Sequence, residues 1–261
     1  YKIDLVISDN RYGCWSQEVP SIFITHQLFI QAPYGKKWLN KINHHFIQKF
    51  NECWVPDIET ENNLSGNLSH TKKLNEIPTF FIEPLSRFSD KELSSEQKYD
   101  AFVVISGPEP QRTVFESLVA KQAEKTALKL VLVRGLPSEN IIPEYLHSEN
   151  IEVHNHLPTE LFLEKIGQSK LVVSRAGYST IMDLAVLGKK AVLVPTPGQT
   201  EQEYLAKYHF EKQHYYTQIQ QEFGLEEAIK NSNSFKGIQF KNQVDLGLFL
   251  EERIKIKIPI K

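Results

Sequence analysis

Short runs of β-branched and other apolar residues alternate along the chain with longer segments in which apolar positions recur at helical spacing. The alternation is regular in the C-terminal half, where the pattern predicts strands at 101–106, 129–134, 151–154, 171–174, 191–194 and 215–217. It predicts helices between and after these strands at 112–126, 159–169, 180–187, 201–212 and 225–229. Such alternation is typical of βαβ units in a parallel, doubly wound α/β sheet.

The first half follows a looser version of the same pattern. It predicts strands at 4–8, 21–25, 52–56 and 79–82, a helix at 37–50, and a polar loop at 57–74. We therefore expect an N-terminal domain at 1–88, a linker of low apolar content at 89–99 and a second domain at 100–235. The remaining residues, 236–261, contain an amphipathic helix at 243–253 and a tail of alternating Ile and Lys, which indicates an edge strand or a solvated end.

Composition narrows the class of protein. Of 261 residues, 41% are hydrophobic and 24% are charged, as in ordinary soluble globular proteins. Lys and Arg number 30 against 32 Asp and Glu, and this net charge of −2 argues against binding nucleic acid through a basic field. Cys14 and Cys53 are too few for a disulfide framework, so we expect a reducing, cytoplasmic compartment. No apolar run approaches the ~20 residues that a membrane-spanning helix needs.

The start of the chain is unusual. The sequence contains one methionine, Met182, and begins with Tyr1. An initiator methionine is normally removed only before a small residue, and the first residues already have the pattern of a strand. We therefore expect that an N-terminal part of the protein precedes Tyr1.

Binding chemistry is expected where strands end and helices begin, because ligands bind beyond the carboxyl ends of the strands in open parallel sheets. The junction after the strand predicted at 171–174 is rich in small residues, glycine and hydroxyl groups. Small residues allow backbone N–H groups to approach an anion, and the next helix directs its positive end toward it. The candidate anion-binding residues of this junction are Ser174, Arg175, Ala176, Gly177, Ser179 and Thr180.

Asp183 lies three residues after Thr180 and allows two interpretations. In the first, Thr180 is the N-cap of a helix and Asp183 completes a capping box. In the second, Asp183 accepts hydrogen bonds from a ribose. The local pattern leaves both open.

The junction at 195–204 combines two prolines and a glycine with acidic and amide side chains. Glu201 lies in the first turn of the predicted helix, where an acidic residue suits the helix dipole, so a structural role is open. Gln199 and Gln202 offer both donor and acceptor groups, as the binding of sugar hydroxyls requires.

Two other strand ends are candidates. Ser106 and Gly107 form a small turn that permits close approach of a phosphate, or is simply a turn. His26 follows the strand predicted at 21–25 and is either a proton shuttle or a polar residue bonded to the backbone. The other histidines, His154 and His156 among them, have no third ligand at fixed spacing, so no metal site is predicted.

The stretch from Ser174 to Leu184, followed by 188–195, resembles the C-terminal domain of glycosyltransferase family 28, whose best-known members are MurG-like N-acetylglucosaminyltransferases of the cell envelope. The family pattern is Ser-Arg-Ala-Gly, a Thr, a Glu-Leu pair and a strand that ends in Val-Pro. Its later His-Gln and Asn-Ala pairs correspond here to 201–202 and 205–206. Weaker similarity links 24–27 and 83–87 to two stretches of the family's N-terminal domain.

The resemblance implies a GT-B fold of two Rossmann-like parallel-sheet domains, the N-terminal one incomplete. It implies inverting transfer of a sugar, an N-acetylhexosamine, from a UDP-sugar to an acceptor hydroxyl, with no cofactor and no metal-mediated binding of the nucleotide. The acceptor is lipid-linked or a glycan, and the family leads us to expect peripheral contact with the inner face of the membrane. The net charge of −2 gives no support for that contact.

Residue by residue, the resemblance implies that Ser106 and Gly107 bind the diphosphate. It implies that backbone groups of His156 and Leu157 contact the base of the nucleotide. It assigns the ribose to Asp183. Gln202 contacts the sugar, and Gln199 and Glu201 belong to the same donor site. Arg87 reaches the diphosphate from the other domain, and His26, with Gln27, lines the cleft as the candidate catalytic base.

Two departures from the family pattern matter. Asp183 replaces a glutamate and is one methylene shorter, and a Gly-Gly-Thr-Gly-Gly-His loop of the family's N-terminal domain is missing. We therefore expect nucleotide binding with impaired catalysis. The alternatives are a nucleotide-sugar hydrolase or epimerase of the same fold, and a non-catalytic nucleotide-sugar-binding subunit.

Overall fold

The computed structural model describes residues 2–71, 77–89, 91, 93–94, 96–240 and 246–257. They form two compact units, one of the described residues within Tyr1–Leu85 and Lys241–Lys261, the other of those within Ser86–Phe240. The predicted linker 89–99 thus lies inside the second unit, and the last helix of the chain belongs to the first. The end of the predicted tail, 258–261, lies outside the described residues.

Four parallel strands form the sheet of the first unit. They lie side by side in chain order: β1 Val6–Asp9, β2 Ser21–Ile24, β3 Glu52–Val55 and β4 Thr79–Phe81. Helix α1, Lys36–Ile47, connects β2 to β3. The predicted polar loop after β3 contains a 3₁₀ turn at Gly66–Leu68.

Both faces of this sheet are covered by apolar side chains. Successive residues of a strand point to opposite faces. Phe23 and Cys53 therefore lie in one cluster, together with Ile47 of α1, while Ile22 and Trp54 lie in another. The four strand residues are fully buried, which explains why β2 and β3 are continuous apolar runs in the sequence.

Six parallel strands form the sheet of the second unit. Their spatial order is β10-β9-β8-β5-β6-β7, with bounds β5 Tyr99–Val104, β6 Leu130–Val133, β7 Ile151–His154, β8 Ser169–Ser174, β9 Ala191–Leu193 and β10 Tyr216–Thr217. The helices are α2 Gln111–Ala123, α3 Thr159–Gly167, α4 Tyr178–Val186, α5 Thr200–Glu211 and α6 Leu225–Ser232. This is the doubly wound order that the alternation predicts.

The order of strands reverses direction between β5 and β8. From β5 the chain adds β6 and β7 on one side, then returns to place β8 on the other side. The connections leave such neighbouring strands in opposite directions, so a crevice opens at their carboxyl ends. The loops that follow β5 and β8 therefore flank the natural ligand site of this unit.

The last helix, α7 Leu246–Lys257, returns to the first unit. Its Leu246, Phe249 and Leu250 contact the cluster that contains Ile22 and Trp54. Of the two interpretations of the tail, the edge strand is wrong for residues 254–257, because these residues continue the helix. Within the described part of the chain, every helix is too short or too polar to span a bilayer.

Candidate functional site

The carboxyl edge of the second sheet brings three loops together. They follow β5, β8 and β9, and they contain most of the residues that the sequence singled out. Gly107 has a φ of +106°, a conformation that other residues rarely adopt. A Cβ on Gly107 would lie 3.4 Å from Oγ1 of Thr196, so the loops after β5 and β9 are in close contact.

Two hydroxyl groups at this edge are buried without a partner. Ser174 and Thr196 are each 1% exposed, and neither Ser174 Oγ nor Thr196 Oγ1 has a hydrogen-bond partner among the described residues. Buried polar groups in proteins are nearly always hydrogen-bonded, so an unpaired one needs an explanation. Ser174 and Thr196 are therefore candidate ligand groups, because both lie at the carboxyl edge of the sheet. The sequence pointed to Ser174 but missed Thr196, which lies between two prolines after β9.

Arg175 lies beneath these loops. It is 1% exposed and donates hydrogen bonds to the carbonyl groups of Ser106, Val194, Pro195 and Gln111, and to Gln220 Oε1. Burial lowers the pKa of its guanidinium to about 10. The sequence predicted a direct donor contact, whereas the geometry shows a side chain that ties the loops after β5 and β9 to the start of α2.

Helix α4 begins two residues earlier than the sequence predicted. Its N-cap is Gly177, and no side chain caps it, so the capping box of Thr180 and Asp183 is wrong. Ser179 is exposed and Thr180 half-buried in the first helical turn, and Ala176 is fully buried. Ser179 and Thr180 therefore lie in the first turn of α4, next to the loop that follows β8.

Asp183 lies in the second turn of α4 and is half-buried. Its Oδ1 accepts a hydrogen bond from Ser86 Oγ at 2.6 Å. Burial raises the pKa of this carboxyl group, although the Ser86 hydrogen bond and the charge of Arg87 act in the opposite direction. Arg87 is exposed, with its guanidinium 4.7 Å from the ring centre of Phe88 and 4.8 Å from that of Phe162. Sequence reasoning missed Ser86.

The amide side chains at the start of α5 hold the loop before it. Gln202 Oε1 accepts from the backbone N–H of Thr196 at 2.9 Å, and Gln202 Nε2 donates to Gln199 Oε1 at 2.5 Å. Glu203 accepts from the backbone N–H of Gly198. Glu201 is half-buried in the first turn. These contacts fix the position of Thr196 and engage both glutamines with the loop.

Of the remaining predicted residues, three follow strands of the second sheet and one lies in the first unit. Ser106 is half-buried beside Gly107, and His156 is exposed and Leu157 buried directly after β7 at the same edge of the sheet. His26 is half-buried after β2 in the first unit. Among the described residues there is no group of three or more His, Cys, Asp or Glu side chains that could hold a metal ion.

The sequence profile of the glycosyltransferase family 28 C-terminal domain matches residues 103–246, more than half of the chain. A UDP-N-acetylglucosamine--N-acetylmuramyl-(pentapeptide) pyrophosphoryl-undecaprenol N-acetylglucosamine transferase from Methylobacterium radiotolerans is 48% identical over 42 residues. These are 16% of this chain and 11% of the relative. The chain thus matches only about a tenth of that relative's length.

Solved structures share the fold over most of the chain. The glycotransferase of kitacinnamycin has a TM-score of 0.64 at 16% identity, covering 98% of this chain and 76% of that one. MurG of Acinetobacter baumannii has a TM-score of 0.54 at 13% identity, covering 90% of this chain and 66% of that one. These likenesses, together with the two parallel sheets, confirm the predicted GT-B type of fold.

Proposed function

Because the chain belongs to glycosyltransferase family 28, we propose that it transfers a sugar from a UDP-sugar to an acceptor hydroxyl with inversion. The observation that carries the proposal is the pair of buried, unpartnered hydroxyls of Ser174 and Thr196 at the crevice of the second sheet. Hydroxyl donors, the close approach at Gly107 and the N-terminus of α4 together suit a diphosphate.

In the proposed reaction, the acceptor oxygen forms a bond to the anomeric carbon while the bond from that carbon to the diphosphate oxygen breaks. The nucleoside diphosphate leaves with the electron pair. The hydroxyls and N–H groups at the edge stabilise the charge that grows on it, which is the main task of such a site. The acceptor proton passes to a base, for which we propose His26 of the first unit. We propose an N-acetylhexosamine as the sugar, because the relative of known name is an N-acetylglucosamine transferase. Gln202 is the proposed contact to this sugar.

Calorimetric titration tests the donor site. UDP, GDP and dTDP are titrated into the unaltered chain and into the double variant Ser174→Ala, Thr196→Val. We expect UDP to bind and the double variant to lose about tenfold or more in affinity, because each lost hydrogen bond to a charged group is worth ~1.5–3 kcal/mol.

The control for this titration is Ser169→Ala. Ser169 and Ser174 are the first and last residues of β8 and are equally buried, but Ser169 Oγ donates to the Lys165 carbonyl. We expect UDP affinity to remain unchanged in this variant. If the double variant and the unaltered chain bind UDP with equal affinity, the two hydroxyls are not part of the donor site. Release of free sugar from UDP-N-acetylglucosamine without acceptor would assign hydrolysis instead of transfer.

We also propose that the first unit contacts a membrane surface through the exposed face of α1. Residues 19–51 contain four lysines and no Asp or Glu, although the whole chain carries a net charge of −2. Trp38, in the first turn of α1, is 66% exposed, and Tyr34, two residues before the helix, is 88% exposed. Lys37 and Lys41 of α1 are exposed as well. Exposed aromatic rings among lysines suit the headgroup region of an anionic bilayer.

Sedimentation with vesicles tests this contact. We expect the chain to bind phosphatidylglycerol vesicles and not pure phosphatidylcholine vesicles, and the double variant Trp38→Ala, Lys37→Glu to lose most of the binding. Lys207→Glu is the control, because Lys207 is an exposed lysine of the second unit and the charge change is the same. Equal sedimentation of the α1 variant and the control would contradict the proposal.

A further inference from the structure

Four polar side chains are bonded in series in the loop at 57–71, which follows β3 in the first unit. We call them the Asp57–His70 network. Ser65 Oγ bonds to Asp57 Oδ2 at 2.5 Å, and the hydroxyls of Ser65 and Ser69 bond to each other. Ser69 Oγ lies 2.9 Å from His70 Nδ1. Asp57 and Ser65 are fully buried and Ser69 is 2% exposed, so bulk water does not reach these bonds.

The two ends of the network have fixed proton roles. His70 Nε2 lies 2.7 Å from the carbonyl oxygen of Ile58, which can only accept, so Nε2 carries a proton. At the other end, Asp57 accepts from three backbone N–H groups, and such bonds favour the ionised carboxylate. These donors are Ile58, Leu64 and Ser65. Because an ionised carboxylate only accepts, the hydroxyl proton of Ser65 is directed to Asp57.

The bonds between these ends require one proton more than a neutral His70 provides. In a neutral ring with its proton on Nε2, Nδ1 only accepts, so Ser69 would have to donate to His70 and to Ser65 at once. A hydroxyl has a single proton, and the proton of Ser65 already serves Asp57. A ring protonated on both nitrogens supplies the missing proton, because Nδ1–H then donates to Ser69 and Ser69 donates to Ser65.

The charged groups near His70 are carboxylates. Asp57 Oδ2 lies 3.9 Å from Nδ1, and among the described residues His70 is the ion-pair partner of Asp57. From β4, Phe81 packs on the His70 ring with 4.8 Å between the ring centres. Glu83, beyond β4, is buried and donates its backbone N–H to the carbonyl group of Asp57. The other charged residues of the described loop, both exposed carboxylates, are Glu59 and Glu61. Negative surroundings stabilise an imidazolium.

We infer that His70 is protonated on both ring nitrogens and that this one proton holds the loop at 57–71 closed, so that the loop opens more readily as the pH rises. A state that binds one proton more than its competitor loses stability with rising pH. When the proton leaves, one bond of the Asp57–His70 network has no hydrogen, and opening of the loop relieves the mismatch. The inference is independent of the proposed function, because no ligand takes part in it.

Opening would also affect the segment after β2. The backbone N–H of Phe29 donates to the carbonyl oxygen of Leu68 at 2.8 Å, and Leu68 ends the 3₁₀ turn that joins the two serines of the network. The titratable group of that segment is the half-buried His26. The segment after β2 therefore loses a backbone hydrogen bond when the loop opens, and its mobility should follow the same pH dependence.

NMR of the chain labelled with ¹⁵N-histidine tests the protonation directly. The chain has nine histidines, and the signals of His70 and His45 are identified by their loss in His70→Gln and His45→Gln. His45 is exposed on α1 and serves as the internal reference. At a pH at which most His45 rings have lost their second proton, we expect both ring nitrogens of His70 to carry one. A proton on Nε2 alone at that pH would overturn the inference.

Hydrogen exchange followed by mass spectrometry tests the opening of the loop. The reporters are the backbone N–H groups of Leu64 and Ser65, which donate to Asp57. After correction for the intrinsic exchange rate, we expect the opening constant to rise with pH by up to about tenfold per unit, as release of one proton requires. An opening constant that stays the same over the range in which histidine titrates, about pH 5 to 8, would contradict the inference.

Ser65→Ala separates the proton from the packing of the loop. Without the Ser65 hydroxyl, Ser69 can donate to a neutral His70, so the missing proton is no longer needed. We expect this variant to open more often at every pH but to lose most of its pH dependence. Ser21→Ala is the matched control, because Ser21 is an equally buried serine of the first unit whose hydroxyl donates to the Val19 carbonyl.

The control should keep the full pH dependence of the unaltered chain. If Ser65→Ala and Ser21→Ala show the same pH dependence, the Asp57–His70 network does not hold the proton and the inference fails. Should Ser65→Ala fail to fold, the NMR measurement on the unaltered chain decides by itself.

Discussion

The two parallel sheets end in opposite ways at their carboxyl edges. After β3, the fully buried Asp57 accepts hydrogen bonds from the backbone N–H groups of Ile58, Leu64 and Ser65 and from the Ser65 hydroxyl. After β8 and β9, two equally buried hydroxyls have no partner among the described residues. The same βα construction thus either engages a polar group with its own loop, as at Asp57, or leaves it unpaired among the described residues, as at Ser174 and Thr196. The loop after β3 also has an unpaired buried hydroxyl, that of Thr71, so the contrast concerns these particular groups and not the two edges as a whole.

The largest effect is expected when the acceptor after β3 is removed. Asp57→Ala leaves four donors without their partner, three of them buried, so we expect the first unit to lose about 3–5 kcal/mol of stability. All three tryptophans, Trp15, Trp38 and Trp54, lie in the first unit, so urea denaturation followed by tryptophan fluorescence reports on that unit. Asp57→Asn keeps one acceptor oxygen and should lose less. A loss below ~1 kcal/mol for Asp57→Ala would show that the loop after β3 does not depend on this carboxylate.

A second test adds a methyl group at the carboxyl edge of the second sheet. Gly135, directly after β6, has a φ of +70°, and a Cβ there would lie 2.5 Å from the Ile105 carbonyl oxygen. Gly135→Ala therefore combines backbone strain with a clash and should cost about 2–4 kcal/mol. Gly188→Ala is the control, because Gly188 has a φ of +61° with open space around it, and it should cost ~1 kcal/mol. Circular dichroism during urea denaturation measures both, and equal losses would show that the contact with Ile105 is unimportant.

A smaller effect is expected when the two ends of β8 are compared. Ser169→Ala removes a satisfied hydroxyl and should cost about 1 kcal/mol, whereas Ser174→Ala removes an unpaired one and should change stability by less than ~0.5 kcal/mol. Thermal denaturation of the two variants without nucleotide checks the difference. A larger loss for Ser174→Ala than for Ser169→Ala would mean that Ser174 serves the fold and not a ligand.

The smallest effect concerns Glu152 on β7, whose side chain is 32% exposed and therefore screened by solvent. Burial opposes its ionisation, but hydrogen bonds from Lys165, Tyr99 and His154 outweigh burial and lower the pKa of Glu152 to about 2. A lowered folded-state pKa stabilises the fold above the unfolded value of about 4.3, and this contribution is lost as the pH falls toward the folded value. Glu152→Gln should therefore flatten the dependence of stability on pH between about 4.5 and 2. Acid titrations of both chains by circular dichroism measure this slope, and identical slopes would contradict it.

The alternation of strands and helices could be predicted because buried parallel strands are short apolar runs and each connection must cross the sheet. The pattern found β7 at its observed bounds and most other elements within two residues. It failed at α4, where the apolar positions begin after the helix has already started at Tyr178. It also failed at Ile254, because an alternation of Ile and Lys over a few residues fits a strand and the end of a helix equally well.

Residues of the candidate site could be predicted where a suitable residue type directly follows a buried strand. Ser174 and Gly107 follow buried strands and could be found in this way. Arg175 has the residue type of an anion contact, but only the fold reveals that its guanidinium is enclosed by carbonyl groups. The pairing of Ser86 with Asp183 depends on a contact across 97 positions, which no local pattern contains.

Helix α7 has a consequence for the order in which the protein can fold during synthesis. The ribosome completes α7 only after every residue of the second unit, yet its apolar side chains cover the Ile22 and Trp54 face of the first. Until then that face lacks its cover, so the first unit remains open to chaperones and to misfolding while the second unit is already able to close. The second unit would thus be finished before the unit that precedes it in the chain.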